Sequence, residues 1–314
     1  MRQIAVKSMD NYMQKTHTSV CKGLAILLIL FVHLCAAILP ASFARLATPF
    51  GGTAVAVFLF LSGYGLNESC KTNHLSHFWS KRIRGVLIPY LAVFVIYVIA
   101  MHADLTLSEG LLLLFTVKDR PDYYFWYVGY QFLCYGLFYF AVKLSNRRNV
   151  KCCVLLIGAL MSFIFLNELR AEQSLSFVLG VAASDYQIVK KALGRGRTFL
   201  LMLCVGIGAL ALKQLPAIRV SHELVLKTVQ LLIKLPLATC VIWFSGVVTD
   251  MRWLGDCCRF FGKYSYEIYL AHAIGMLALL YCGNLWLGVA LFAIITTATV
   301  FALAGLKKLL RVKR

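Results

Sequence analysis

Charge is scarce in this sequence, and acid is the scarcest kind. Only 14% of the 314 residues are charged, and Asp and Glu number 13 against 32 Lys and Arg. Soluble domains carry about 25% charged residues. With 61% hydrophobic side chains and a mean hydropathy of +0.78, a soluble globular protein is excluded. Long polar loops are lacking too, which leaves no room for a second soluble domain between the apolar runs. The eleven cysteines include no Cys-x-x-Cys pair and are odd in number, which argues against a disulfide framework and a zinc site. Cys152-Cys153 and Cys257-Cys258 read as small apolar residues near a reducing cytoplasmic face. No small-residue cleavage site follows the first apolar run, so that run is expected to stay attached rather than be removed as a signal peptide. No fixed-period repeat, low-complexity segment or inverted repeat is visible, and the last absence disfavours a transporter.

What is present is one apolar run after another, each near the roughly 20 residues that an α-helix needs to cross a bilayer. Ten spans are expected, at 23–40, 51–68, 86–102, 124–142, 152–167, 174–189, 198–212, 225–248, 264–282 and 285–306. The sixth and seventh are short, and Lys227, Lys234 and Pro236 leave the start of the eighth open. The expected fold is an all-α membrane protein of about ten transmembrane helices with both termini cytoplasmic. It forms one domain over 1–314, with a cytoplasmic arm at 1–20 and a ten-helix core at 21–310.

The formal net charge of +19 could suggest nucleic acid, but its distribution points to lipid. On this topology 24 of the Lys and Arg face the cytoplasm. Six lie outside (Arg45, Lys118, Arg120, Arg170, Lys213, Arg219) and two in the eighth span. That is the positive-inside bias, and it orients the protein and meets anionic lipid. No nucleic-acid partner is expected. The longest outer connection, 103–123, holds an apolar run from Leu111 to Val117 that is too short to span and reads as re-entrant or interfacial. Tyr123, Tyr124, Phe125, Trp126 and Tyr127 follow as an interfacial aromatic belt.

Four stretches carry candidate chemistry. In "CKGLAILLILFVHL", residues 21–34, Lys22 and His33 are eleven residues apart. That returns to within about 20° of one helix face, about 16 Å further along. An ionisable group inside a span must face protein or water, so His33 is a functional candidate, against the plainer reading of an interhelical hydrogen bond. In "GGTAVAVFLFLSGYGLNE", residues 51–68, the small residues permit close helix approach. In "FWSKRIRGVLIPYL", residues 78–91, Lys81, Arg82 and Arg84 precede a span. They serve either as an anchor or as phosphate partners, and Pro89 can open the backbone near them. In "GKYSYEIYLAH", residues 262–272, Ser265, Tyr269 and His272 share one face while Glu267 points elsewhere. No metal-ligand set is apparent.

Together these stretches resemble the acyltransferase 3 family of integral membrane acyltransferases, over about residues 15 to 310. The basic residue, ten residues and histidine of that family match Lys22 to His33, and its Arg-x-Arg matches Arg82 and Arg84. "FLFLSGYGL", "FWYVGYQFLCY" and "YSYEIYLAH" resemble its second-span, fourth-span and late motifs. Lys22 stands where the family usually has arginine, and no extracytoplasmic hydrolase-like domain is expected beside the membrane core.

The resemblance implies a multi-pass protein of the plasma membrane, as in a bacterial inner membrane. It would move an acyl group, most often acetyl, from cytoplasmic acyl-CoA to a hydroxyl of a cell-surface polysaccharide, glycolipid or lipid-linked sugar. Acyl-CoA, acetyl-CoA in the first instance, would be a substrate, and no permanently bound cofactor is expected. Lys22, Lys81, Arg82 and Arg84 would meet CoA phosphates. His33 would be the base or carry a transient acyl group, and His272 or Tyr269 would orient it or steady an oxyanion. A lipid-linked sugar transporter or flippase without acyl transfer remains the alternative, followed by a proton path through the two histidines. The sequence is silent on oligomeric state.

Overall fold

The computed structural model describes residues 13–101, 106, 109, 124–187 and 196–310. The expected re-entrant run at 111–117, Tyr123 and the ends of the third and sixth spans lie outside the described residues.

Eleven helices of at least twelve residues are described: α1 (Lys15–Ile38), α2 (Ala41–Asn73), α3 (Phe78–Ala100), α4 (Trp126–Leu144), α5 (Arg148–Phe165), α6 (Ser174–Tyr186), α7 (Gly196–Gln214), α8 (Glu223–Thr249), α9 (Arg252–Lys263), α10 (Ser265–Tyr281) and α11 (Leu285–Leu309). Single turns at Glu168–Ala171 and Pro216–Arg219 join some of them. Among the described residues there is no strand. An apolar chain in lipid must satisfy its own backbone, which the helix does segment by segment.

Each of the ten expected spans falls on a helix. Seven are long and apolar enough to cross a membrane, namely α1, α2, α3, α5, α7, α8 and α11. The other three depart for visible reasons. α6 has only 13 residues and α10 only 17. α4 has 19, but Tyr127, Tyr130, Gln131, Tyr135, Tyr139 and Lys143 lower its hydropathy.

α1 begins at Lys15, inside what was expected to be an arm. The cause is tertiary: His17 is 1% exposed, and its Nε2 lies 2.9 Å from Ser245 Oγ. The start of α8, left open by its lysines, is fixed at Glu223. There the ring of His222 accepts a hydrogen bond from the Leu224 amide. α9 was not expected as a separate element. It is strongly two-faced, with Trp253, Leu254 and Phe260 exposed and Gly255, Cys258 and Gly262 buried, as in helices that lie along a membrane surface.

The chain packs as two units. The first holds α1 to Ala36, α2, α4 from Cys134, and α5 to α9; the second holds α3, α4 to Leu133, α10 and α11. In the first, α6 lies along α2 at backbone contact. A Cβ on Gly63 would stand 2.2 Å from the Phe177 carbonyl oxygen, and one on Gly180 would stand 2.0 Å from that of Phe60. Glycine is thus required at both crossings, as the small residues of 51–68 predict for Gly63. The same device joins α1 to α9, where a Cβ on Gly23 would meet the Cys258 carbonyl and one on Gly262 that of Ser19. α7 packs on α8 through Ala209, Val229, Ile233 and Leu237.

In the second unit α10 is buried nearly all round and lies along α11, where Gly275 admits Phe292 and Thr296. Glu267, expected only to point away from His272, is itself buried and ion-paired to Lys307 of α11 at 3.2 Å.

Candidate functional site

α1 is unbroken from Lys15 to Ile38, so the helical spacing that places Lys22 and His33 on one face holds in the fold. Both side chains are half-buried. The neighbouring Val32 packs against α2, with its Cγ1 3.3 Å from where a Cβ on Gly51 would sit. His33 therefore lies at the level of Gly51. Lys22 lies beside Gly23, where α9 crosses.

A second histidine on α1, His17, escaped the sequence reading. Its Nδ1 accepts the Met13 amide at 3.1 Å, which leaves the proton on Nε2, facing Ser245 Oγ and the Ile242 carbonyl. Sixteen residues before His33, it points to nearly the opposite side of the helix. It fastens α1 to α8.

Two buried polar clusters in the first unit were also missed. In one, Lys151 of α5 pairs with Asp185 of α6 at 2.8 Å and donates to Asn67 Oδ1 of α2 at 2.5 Å. Asn67 Nδ2 donates in turn to Asp185 Oδ1 and Ser184 Oγ, and Ser184 donates to Glu68. This cluster locks three helices together.

The other cluster is looser. Glu172, in the connection before α6, stands 3.9 Å from Lys234 Nζ of α8. Lys234 donates to the Pro49 carbonyl at 3.2 Å, and Gln173 Nε2 donates to the Gly52 carbonyl and to Glu172 Oε1. Burial pushes the Glu172 carboxyl above the usual carboxylate range, with Lys234 pulling the other way. The available signal for both clusters was the scarcity of acids: an Asp or Glu at the edge of an apolar run needs a buried partner.

In the second unit, Ile83–Leu87 forms a π-helical segment within α3, closed by the Ile88 amide donating to the Ile83 carbonyl. It lies just ahead of Pro89, whose missing N–H breaks the regular ladder there. Arg84 sits inside this segment and Arg82 immediately before it. Lys81 and Arg84 are exposed, and Arg82 lies 5.4 Å over the Phe78 ring. Tyr266 Oη of α10 donates to the Val86 carbonyl at 2.9 Å, and Lys307 lies 4.6 Å over the Tyr266 ring.

Tyr269 and His272 are set among aromatic rings. Tyr269 Oη donates to the Tyr124 carbonyl, and its ring meets Tyr127 edge-on at 5.3 Å. His272 is fully buried; its Nδ1 lies 2.5 Å from the Tyr269 carbonyl and so carries the proton, and Tyr124 packs on its ring. Ser265 is buried as well.

The fold thus keeps Lys22 and His33 on one face of α1 in the first unit. Lys81, Arg82, Arg84, Tyr269 and His272 lie in the second. All eleven cysteines are free thiols, and among the described residues no group of three metal-ligating side chains is present.

No curated protein and no solved structure matches the chain. The family model for an acyltransferase domain matches residues 19–306, from just before Lys22 to the end of the last apolar helix. That span takes in every one of these candidate residues, and the chain belongs to the acyltransferase 3 family of membrane acyltransferases.

Proposed function

We propose that the protein transfers an acyl group, acetyl in the first instance, from cytoplasmic acyl-CoA to a hydroxyl of a cell-surface polysaccharide, glycolipid or lipid-linked sugar. The observation that carries the reading is the shared face of Lys22 and His33 on an unbroken apolar helix. A hydroxyl is a weak nucleophile and needs a base placed beside it to take its proton. His33 fills that role. It takes the hydroxyl proton as the oxygen attacks the thioester carbonyl, the C–S bond breaks, and the imidazolium returns the proton to the departing CoA sulfur.

CoA is polyanionic. Lys22 supplies one point charge, and Lys81, Arg82 and Arg84 supply charge-assisted hydrogen bonds of which the guanidiniums can make two at once. Tyr269 and His272 act by position, since the Tyr269 hydroxyl is committed to the Tyr124 carbonyl and His272 Nδ1 to that of Tyr269. Both fix the start of α4 against α10.

The test is transfer of label from acetyl-CoA to a glycan-lipid extract by protein in lipid discs. Wild type is expected to transfer and His33→Ala to lose at least 100-fold. Full transfer by the variant overturns the assignment. Passage of unmodified sugar across vesicles with no label transferred replaces the reading with a flippase.

A further inference from the structure

The cluster around Glu172 contains polar atoms with no use in the mechanism above. Gln173 is fully buried, and both hydrogen bonds of its side chain run through Nε2. Its Oε1 has no hydrogen-bond partner among the described residues. Neither do the hydroxyls of Ser174 and Ser176, each at most 3% exposed. Three orphan oxygens within four residues are costly unless something binds there, and the other buried polar clusters described above have their partners. Beside Gln173 stand Glu172 and Lys234, whose opposite charges cancel at a separation too long for a tight ion pair.

The chemistry of the cluster is specific. It offers acceptors in the Glu172 carboxylate and Gln173 amide oxygen, donors in Lys234, and hydroxyls of either sense in Ser174 and Ser176. With no net charge, it suits a neutral ligand that presents several adjacent hydroxyls. A phosphate would be opposed by Glu172. The position is also informative. Gly52 lies against both Lys234 and Glu172, whose atoms would stand 2.6 and 2.7 Å from a Cβ there. Its neighbour Gly51 lies against Val32, the residue before His33. Cluster and histidine therefore occupy one level of the first unit.

We infer that Glu172, Gln173, Ser174, Ser176 and Lys234 form a subsite for the hydroxyls of a neutral sugar, the acceptor whose free hydroxyl is acylated at His33. This rests on the acyltransferase reading and names its acceptor as an uncharged glycoside. It also assigns a role to Gly52, whose missing side chain leaves the carboxylate and ammonium room to face the ligand.

The probe is a set of methyl glycosides of neutral hexoses, measured by saturation-transfer NMR on the protein in lipid discs, with acetyl-CoA as a second ligand. Wild type is expected to show glycoside signals. The paired substitution Ser174→Ala with Ser176→Ala, and separately Gln173→Met, should reduce them at least fivefold while keeping the acetyl-CoA signal. The serine pair donates to nothing described, so its removal should leave Tm equal or higher. Should the pair lower Tm, the single serine variants decide by the same signal. Absence of glycoside signal in wild type, or equal signal in folded variants, overturns the subsite. Release of CoA from acetyl-CoA is followed in the same samples. Glycoside binding with no CoA released keeps the subsite and removes the acyl transfer. CoA release to the glycan-lipid extract without glycoside binding removes only the subsite.

Discussion

His33 and His272 each ride an apolar helix, one in either unit, and their surroundings differ in kind. His33 is half-buried on a helix whose face also carries Lys22. His272 is sealed among Tyr124 and Tyr269, with one nitrogen committed to its own helix backbone. A general base must reach a substrate proton, whereas a ring with no exposed surface can serve only by holding its neighbours. The contrast supports the proposed chemistry at the first histidine and architecture at the second, although both are intramembrane histidines in the sequence.

The largest expected effect tests the first half of that contrast. His33→Ala should lower kcat by about 10²- to 10⁴-fold, the range of a lost general base, with Tm unchanged because a half-buried ring is removed. Label transfer and a thermal melt on the same sample check both. A melt that falls along with the activity would make His33 a packing residue like its counterpart.

His272 should behave in the reverse way. His272→Ala deletes a fully buried ring, a change that costs about 2–4 kcal/mol in a packed interior, and should lower Tm by about 5 °C or more. His272→Phe keeps the aromatic packing and is expected to recover most of the Tm and all but about threefold of the rate. A His272→Phe variant that melts like wild type yet loses 100-fold in rate would restore a chemical role to this histidine.

Most of the secondary structure was legible beforehand, because a bilayer imposes one length and one period on every crossing segment. α9 escaped because it is twelve residues of mixed character, and its role as a crossbar under α1 depends on glycine-to-backbone contacts between residues some 240 positions apart. The Lys22 and His33 pair was legible because both lie on one helix, where spacing fixes the face. The Lys151–Asp185 and Lys234–Glu172 pairs were not, since each joins separate helices and nothing local says which basic residue meets which acid. His17 shows the same limit: it is buried against α8, and its sequence neighbourhood gives no hint of Ser245.

In the second unit the arginines supply a test of intermediate size. Arg84→Gln should raise the acyl-CoA KM about tenfold and leave kcat alone, as expected of a charge-assisted phosphate contact worth about 1.4 kcal/mol. An unchanged KM would return Arg82-Ile83-Arg84 to membrane anchoring. It would also confine substrate contact to the first unit.

The smallest effect concerns how those arginines are held. Tyr266 Oη donates to the Val86 carbonyl inside the π-helical segment that carries Arg84, while Lys307 sits over the Tyr266 ring and pairs with Glu267. A hydrogen bond between neutral partners contributes about 1 kcal/mol. Tyr266→Phe keeps the ring and its cation and removes only that bond. The acyl-CoA KM should therefore rise by about two- to threefold, with kcat and Tm near wild type, because the segment loses its tether but not its packing. Combining Tyr266→Phe with Arg84→Gln gives the sharper reading. If the tyrosine acts only by presenting Arg84, its effect vanishes once Arg84 is gone, and the double variant matches Arg84→Gln alone. Full additivity would mean that Tyr266 shapes α3 for some other contact, and that the π-helical segment matters to the fold rather than to the binding of acyl-CoA.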